Sequence, residues 1–264
     1  HIPCGRCFHC RRRQYAQCGF YKRTGVTAGF EPAGGGFAEY VRVRPWIVRR
    51  GMVRVPRHVP LEDATFVEPV NTCLKGVERL GVERGEQVLV FGLGSIGLLF
   101  AQLLRLRGAG AIGVDPLAAR RRLARRLGAR LTAAPRGRGF KRKLARVTGG
   151  RGADAAVLAV PAQSALDQAL ASVRPGGRIL LFSHTRKGEH VSLDAGLMCV
   201  EDKSLLGCYS ADVDLQAKSA RLVFSRAVRV APLITHRFPL TRIAAAFRLA
   251  ARPTPASLKV LVQP

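Results

Sequence analysis

Four cysteines crowd the start of the chain: Cys4, Cys7, Cys10 and Cys18, spaced C-x2-C-x2-C-x7-C. Four thiolates at such short spacing can close a tetrahedron around Zn²⁺, with Zn–S bonds of about 2.3 Å. Disulfides are the alternative. Cys4, Cys7 and Cys10 are too tightly spaced for an ordinary bridging pattern among themselves, and a large enzyme-like chain favours metal. With Cys at all four positions the ion keeps no open coordination site, so the expected zinc is structural. Arg6, Arg11, Arg12 and Arg13 sit in and beside the loop. They either favour the thiolate form or are a solvated loop of an Arg-rich chain. His9 is spare to the cluster and reads as a surface residue. Cys73, Cys199 and Cys208 stand apart in apolar or mixed stretches.

The second chemical signal lies mid-chain. Val88 to Phe91 is a short apolar run suited to a buried parallel strand. Gly92, Gly94 and Gly97 follow as G-x-G-x-x-G, and the segment from Ser95 to Leu106 reads as a helix. Ala111 to Asp115 then reads as a second strand ending in an acid. Each part has a mechanical task. Gly92 permits the tight turn after the strand, Gly94 lets a pyrophosphate approach the backbone, and Gly97 lets the helix pack closely on the strand. The helix N-terminus at Ser95 and Ile96 offers free N–H groups and the positive end of the helix dipole. Asp115, 18 residues after Gly97, is placed to accept hydrogen bonds from an adenosine ribose. A 2′-phosphate would meet a like charge there, so NAD is favoured over NADP. Strand, loop, helix and strand-plus-acid in this order form the context that a dinucleotide site requires.

These residues need a scaffold, and the chain supplies alternating units. Leu117 to Leu127 and Lys141 to Val147 read as helices, Ala155 to Val160 as a strand and Ser164 to Ser172 as a helix. Pro175-Gly176-Gly177 reads as a turn and Arg178 to Ser183 as a further strand. Strands alternating with helices predict an α/β fold with a doubly wound parallel sheet. Ligands of such sheets bind at the carboxyl ends of the strands.

Composition narrows the function classes. Hydrophobic residues make up 47% of the 264, which excludes a disordered or collagen-like chain. Lys and Arg exceed Asp and Glu by 44 to 17, a net +27 that raises a nucleic-acid reading. Two observations weigh against it. Aromatics are 6%, thin for base stacking. The densest basic stretch, twelve Lys and Arg within 120–146, falls on what should be outer helix faces. Val88 to Leu104 is uncharged, but its glycines and length suit strand–turn–helix better than a membrane span. No membrane partner is expected.

In order, the four-Cys lobe, Gly35-Gly36-Phe37-Ala38-Glu39-Tyr40-Val41, Glu68-Pro69 and G-x-G-x-x-G resemble the zinc-containing medium-chain dehydrogenase/reductase superfamily. The tail Leu233 to Leu240, a helix ending near Ala250 and a strand Leu258 to Val262 are similar to its C-terminal return to the catalytic domain. The Glu-Pro pair is similar to the polyol (sorbitol-type) and threonine-type members. The superfamily's alcohol dehydrogenases of the other type carry Cys where this chain has Glu68. The resemblance implies a Rossmann sheet plus a partial GroES-like β catalytic domain carrying the zinc lobe. The expected boundaries are 1–73 for the catalytic piece, 74–206 for the NAD-binding domain and 207–264 for the return.

The resemblance also implies roles. Cys4, Cys7, Cys10 and Cys18 would hold structural zinc, and Glu68 would sit at a catalytic zinc as ligand or as partner to its bound water. The alternative for Glu68 is a strand-end or helix-cap carboxylate before Pro69. Gly92, Gly94 and Gly97 would line the pyrophosphate, Asp115 the ribose, and Arg120 the adenine or adjacent ribose. His184 follows a strand end near the expected nicotinamide pocket but reads as a surface or packed histidine. The implied reaction moves a hydride between NAD and a secondary alcohol (a polyol, sugar or amino alcohol), with the catalytic zinc as Lewis acid. The family places a Cys and a His-Glu pair, its first catalytic ligands, upstream of the zinc lobe. The chain starts at that lobe, at His1, and is expected to be N-terminally incomplete. A homo-oligomer in the cytoplasm is expected. The alternatives are a non-catalytic zinc- and NAD-binding remnant, a basic nucleic-acid-binding protein, and a zinc-free quinone-reductase relative, which would lack the four-Cys lobe.

Overall fold

The uncharged stretch from Val88 to Leu104 divides as its glycines require, into a strand, a turn and a helix. The computed structural model describes residues 2–23, 36–136, 138–184 and 188–264. It contains two units. One comprises His1–Thr72, Ser210–Arg226 and Val230–Pro264; the other comprises Cys73–Tyr209 and Ala227–Arg229.

The first unit opens with the short helices α1 (Phe8–Arg11) and α2 (Gly19–Arg23), separated by a 3-10 turn at Tyr15–Gln17. Next come α3 (Pro45–Gly51) and α4 (Leu61–Ala64). Pro45 occupies the first turn of α3, where its missing N–H costs nothing. Helix α5 (Val67–Arg79) runs through the boundary at Thr72. Its Pro69 is also within the first turn, and Val70, Cys73, Leu74 and Val77 are buried at helical spacing.

The second unit holds β1 (Gln87–Phe91), α6 (Ser95–Leu106), β2 (Gly110–Val114), α7 (Ala118–Arg126), β3 (Leu131–Ala133), α8 (Arg138–Thr148), β4 (Ala153–Leu158), α9 (Gln163–Leu170), β5 (Val173–Leu181), α10 (Ala195–Val200) and β6 (Ser204–Gly207). The strands make one parallel sheet in the order β3-β2-β1-β4-β5-β6. This is the doubly wound arrangement that the alternating pattern predicts, with the order reversing between β1 and β4. Every residue of β1 is buried, and Ala155 to Leu158 of β4 are fully enclosed. Strands covered on both faces have no polar face to alternate with, which is why these runs read as continuous apolar sequence.

Strand β5 departs from expectation. It starts at Val173 rather than Arg178, and Pro175-Gly176-Gly177 lies inside it. Ala153 pairs with Val173 and Ala155 with Arg178, so the predicted turn is an excursion within one strand. Arg122, Arg125 and Arg126 of α7 and Lys141, Arg142, Lys143 and Arg146 of α8 are exposed. The basic stretch is thus a solvated outer face. Among the described residues, no helix is long and apolar enough to cross a membrane.

The first unit resumes with α11 (Gln216–Phe224), β7 (Ile234–Pro239), α12 (Ile243–Ala251) and β8 (Lys259–Gln263). Strands β7 and β8 pair in parallel. They are the β structure of this unit among the described residues. Of the Gly35 to Val41 motif, Gly35 lies outside the described residues.

Candidate functional site: a four-cysteine centre and a glycine-rich loop

Cys7 caps the N-terminus of α1, Cys10 lies within it, and Cys18 follows the 3-10 turn. This short winding folds four thiols back on one point. The four sulfurs all lie within 4.8 Å of one another. Cys7 Sγ is 3.5 Å and Cys4 Sγ 3.9 Å from Cys10 Sγ. A zinc tetrahedron with 2.3 Å bonds has sulfur–sulfur edges of about 3.8 Å. The donor set therefore fits Zn²⁺ in both number and spacing.

Backbone donors prepare the site for negative charge. Burial opposes ionisation of Cys18, but the amides of Cys4 and Tyr21 prevail and hold it at about 6. The amides of Arg6 and Cys7 lower Cys4 in the same way. Cys10 is pushed up to about 12 by burial and by the neighbouring thiols. Two of the arginines that the sequence offers for this task are turned elsewhere. Arg11 Nε donates to the Arg6 carbonyl at 3.1 Å, and Arg12 lies over the Phe8 ring at 3.7 Å. His9 pairs with Gln14 and is not part of the cluster. Tyr15 and Tyr21 fasten the lobe within its unit, through Asp214 Oδ2 at 3.0 Å and Ser210 Oγ at 2.8 Å.

The glycine-rich loop follows β1. Gly92 has φ +87°, the left-handed region, and a Cβ there would sit 2.4 Å from Val160 Cγ1. A Cβ on Gly97 would fall 1.8 Å from the Gly92 carbonyl oxygen. A Cβ on Gly94 would meet no atom within 4 Å. The loop is thus packed tightly on the protein side and open at Gly94, the N-cap of α6. Ser95 and Ile96 form the first turn of this helix, whose early N–H groups have no intrahelical partners.

Asp115 follows β2 and is 3% exposed. Its Oδ2 accepts from the Leu93 amide and its Oδ1 from the Leu117 amide, both at 2.8 Å. A carboxylate has about four acceptor positions, so two remain. Arg120 Nη1 stands 3.8 Å from Oδ2. Gly92, Asp115 and Arg120 line one cavity of about 510 Å³, together with Val160, Arg136 and Gln168.

Glu68 is the second residue of α5 and faces a separate cavity of about 640 Å³ within the first unit. Tyr21, Ile47, Asp212 and Gln216 also line it. Burial raises the Glu68 carboxyl, against the pull of Lys259.

Residues 95–225 match the family described as zinc-binding dehydrogenase. The chain is 31% identical to L-threonine 3-dehydrogenase of Pyrococcus furiosus over 90% of its own length and 66% of that protein's. It is 25% identical to sorbitol dehydrogenase of Bacillus subtilis, covering 72% of it. Among solved structures, AibC is 31% identical with a TM-score of 0.83, and all of this chain aligns to 71% of it. The chain belongs to the zinc-binding dehydrogenase family. A family structure from Sinorhizobium meliloti 1021, solved with NADP bound, aligns with the whole chain at a TM-score of 0.84 and 28% identity, over 74% of its own length. The chain thus spans just under two thirds of the curated threonine dehydrogenase.

Against this family background the two candidate metal sites differ. The four cysteines are a complete donor set. Glu68, among the described residues, joins no group of three His, Cys, Asp or Glu side chains able to hold an ion. A lone carboxylate does not retain zinc, so the described residues do not by themselves make a catalytic zinc site. Sequence reasoning missed the backbone amides of Leu93 and Leu117, which leave no side-chain signature. It also missed Arg136 and Gln168, brought to the Asp115 cavity by β3–α8 and α9.

Proposed function

We propose that this protein belongs to an NAD-dependent zinc dehydrogenase that transfers a hydride between a secondary alcohol and the dinucleotide. The observation that carries the reading is the loop between β1 and α6. It is closed by contact at Gly92 and Gly97 and open at Gly94, beneath a twelve-residue helix terminus. An anionic pyrophosphate fits that opening, where unpaired N–H groups and the helix dipole converge. Asp115 supports NAD over NADP, since a 2′-phosphate would approach a buried carboxylate. Arg120 would lie along the adenosine, in the same cavity.

Bound NAD supplies the hydride chemistry. This chain's residues hold the pyrophosphate, orient the ribose and keep the adenosine out of water. Cys4, Cys7, Cys10 and Cys18 would hold a structural zinc that fixes the lobe. Glu68 is the residue we assign to the reacting end of the complete enzyme. The polyol, sugar or amino-alcohol class rests on Glu68-Pro69 and on the names of the threonine and sorbitol dehydrogenase relatives.

The test is a fluorescence titration of the purified chain with NADH and NADPH, alongside NAD reduction by the complete protein with threonine and with sorbitol. Tighter binding of NADH and turnover of one substrate class are expected. Binding of neither dinucleotide would overturn the reading.

A further inference from the structure

We infer that the groove between α8 and α9 binds an aliphatic carboxylate, a site separate from the dinucleotide reading above. The groove encloses about 910 Å³ within the second unit, a volume typical of small-molecule sites. Both helices follow strands of one parallel sheet, so both start at its carboxyl edge and run toward its amino edge. Phe140, Leu144 and Leu170, all buried, form an apolar wall with the half-buried Leu197 of α10. The small, exposed Ala145 and Ala171 flank the opening. From Lys141 to Thr148 the helix advances about 10 Å, a span that suits an extended acyl chain.

The charges of the lining select the head group. At the amino-edge end every cation is answered by the chain itself. Lys203 Nζ lies 2.6 Å from Glu201 Oε2 and donates to the Leu170 carbonyl, also at 2.6 Å. Arg174 Nε donates to Asp154 Oδ1 at 2.7 Å, and the charge of Arg151 acts on the same carboxylate. Asp167, the other acid of the lining, accepts from the Gln163 amide at 2.7 Å. At the carboxyl-edge end stand Arg136 and Lys141, and among the described residues neither makes an ion pair. The surrounding sequence offers them none, since no Asp or Glu occurs between Asp115 and Asp154. An apolar wall with unanswered cations at one end fits a ligand with an apolar tail and an anionic head. Lys141 and Arg136 donate to the carboxylate through charge-assisted hydrogen bonds, and the tail covers Leu144 and Leu170. The groove shares Arg136, Ser164 and Gln168 with the Asp115 cavity, but Lys141 and Ala145 line the groove alone, so the two sites can be told apart.

The test is calorimetric titration of the purified chain with decanoate, hexanoate and decylamine. Wild type should bind decanoate, with affinity rising about two- to fourfold per methylene from hexanoate, and should bind decylamine at least about tenfold more weakly. Lys141→Glu should weaken decanoate about fivefold. Ala145→Phe fills the groove without changing charge and should weaken it about tenfold or more. Arg125→Glu makes the same charge change on the exposed face of α7, outside the groove, and should bind as wild type does. If Ala145→Phe does not fold, Ala171→Phe fills the same groove from the end of α9. Absence of decanoate binding by wild type would overturn the inference. So would equal losses in Lys141→Glu and Arg125→Glu, which would mean diffuse attraction to a basic surface. A groove-filling variant that binds like wild type would place the chain elsewhere, the Asp115 cavity included, and would overturn it too. None of these outcomes touches the dinucleotide reading, which the NADH titration decides by itself.

Discussion

Gly94 and Gly97 are three residues apart, yet the structure predicts opposite consequences for the same added methyl group. At position 97 a Cβ would lie 1.8 Å from the Gly92 carbonyl oxygen and 2.9 Å from its carbon. Relaxed C···O contacts are about 3.3 Å, so α6 and the loop must part by roughly 1.5 Å. Overpacking of this kind costs about 1–3 kcal/mol. In a chain of this size that lowers Tm by roughly 2–12 °C. The same displacement moves the helix N–H groups off the pyrophosphate, so Gly97→Ala should lose both stability and NADH. At position 94 nothing lies within 4 Å, and φ is an ordinary −69°. Gly94→Ala should melt within about 2 °C of wild type. Its methyl nevertheless occupies the approach to the backbone, and NADH should weaken about tenfold or more. Thermal melts followed by intrinsic fluorescence, paired with NADH titrations, read both quantities on one preparation. A Gly94→Ala protein that binds NADH like wild type would refute placement of the pyrophosphate there. A Gly97→Ala protein that melts and binds normally would refute the packing argument.

Other parts of the molecule give independent checks. Purified chain should contain close to one zinc, measured by elemental analysis, and Cys18→Ser should lose it with a lower Tm; a zinc-free wild type would dismiss the centre. Asp115→Asn replaces an acceptor facing Leu93 or Leu117 with an amide donor, and NADH should weaken more than NADPH in parallel titrations; equal effects would remove the ribose assignment. For Asp154, burial opposes ionisation, but Arg174 and the Gln87 amide prevail and hold the carboxyl below its ordinary 3.8. Its contribution is therefore complete above that value and is lost as pH falls through the lowered one. Asp154→Asn should melt lower at pH 7 and converge with wild type in acid; a constant gap across pH would contradict the linkage.

The second unit was legible because its long elements are marked twice, by composition and by punctuation. Val88 to Phe91 is apolar and ends at Gly92, and Ser95 to Leu106 begins at a glycine cap; both elements appear at those places within a residue. Short strands were not legible. Leu131–Ala133 and Ser204–Gly207 are three and four residues long and carry no period of their own. They exist because a neighbouring strand offers unpaired backbone groups, which is a property of the sheet and not of the segment. The site divides in the same way. Cysteine spacing announced a four-donor set, and glycine spacing announced the loop. The amides that favour thiolate at Cys18 and the two that anchor Asp115 belong to the backbone, which every residue type shares. Of the two readings open for the lobe arginines, Arg11 and Arg12 favour the one without a task at the thiols: their charge, close in sequence, is turned to a carbonyl and a ring.

The double tether of Asp115 bears on how cofactor preference could change. The carboxylate to which we assign the choice between the dinucleotides also restrains the Leu93 amide in the glycine loop and the Leu117 amide leading into α7. A single exchange of Asp115 for a small neutral residue, the obvious step toward accepting a 2′-phosphate, would release two backbone donors at once. On that assignment, loop order and ligand choice are one trait here. A lineage or a designer shifting this protein to the phosphorylated cofactor must first furnish Leu93 with another acceptor, and the order of substitutions decides whether the intermediates stay folded around their ligand.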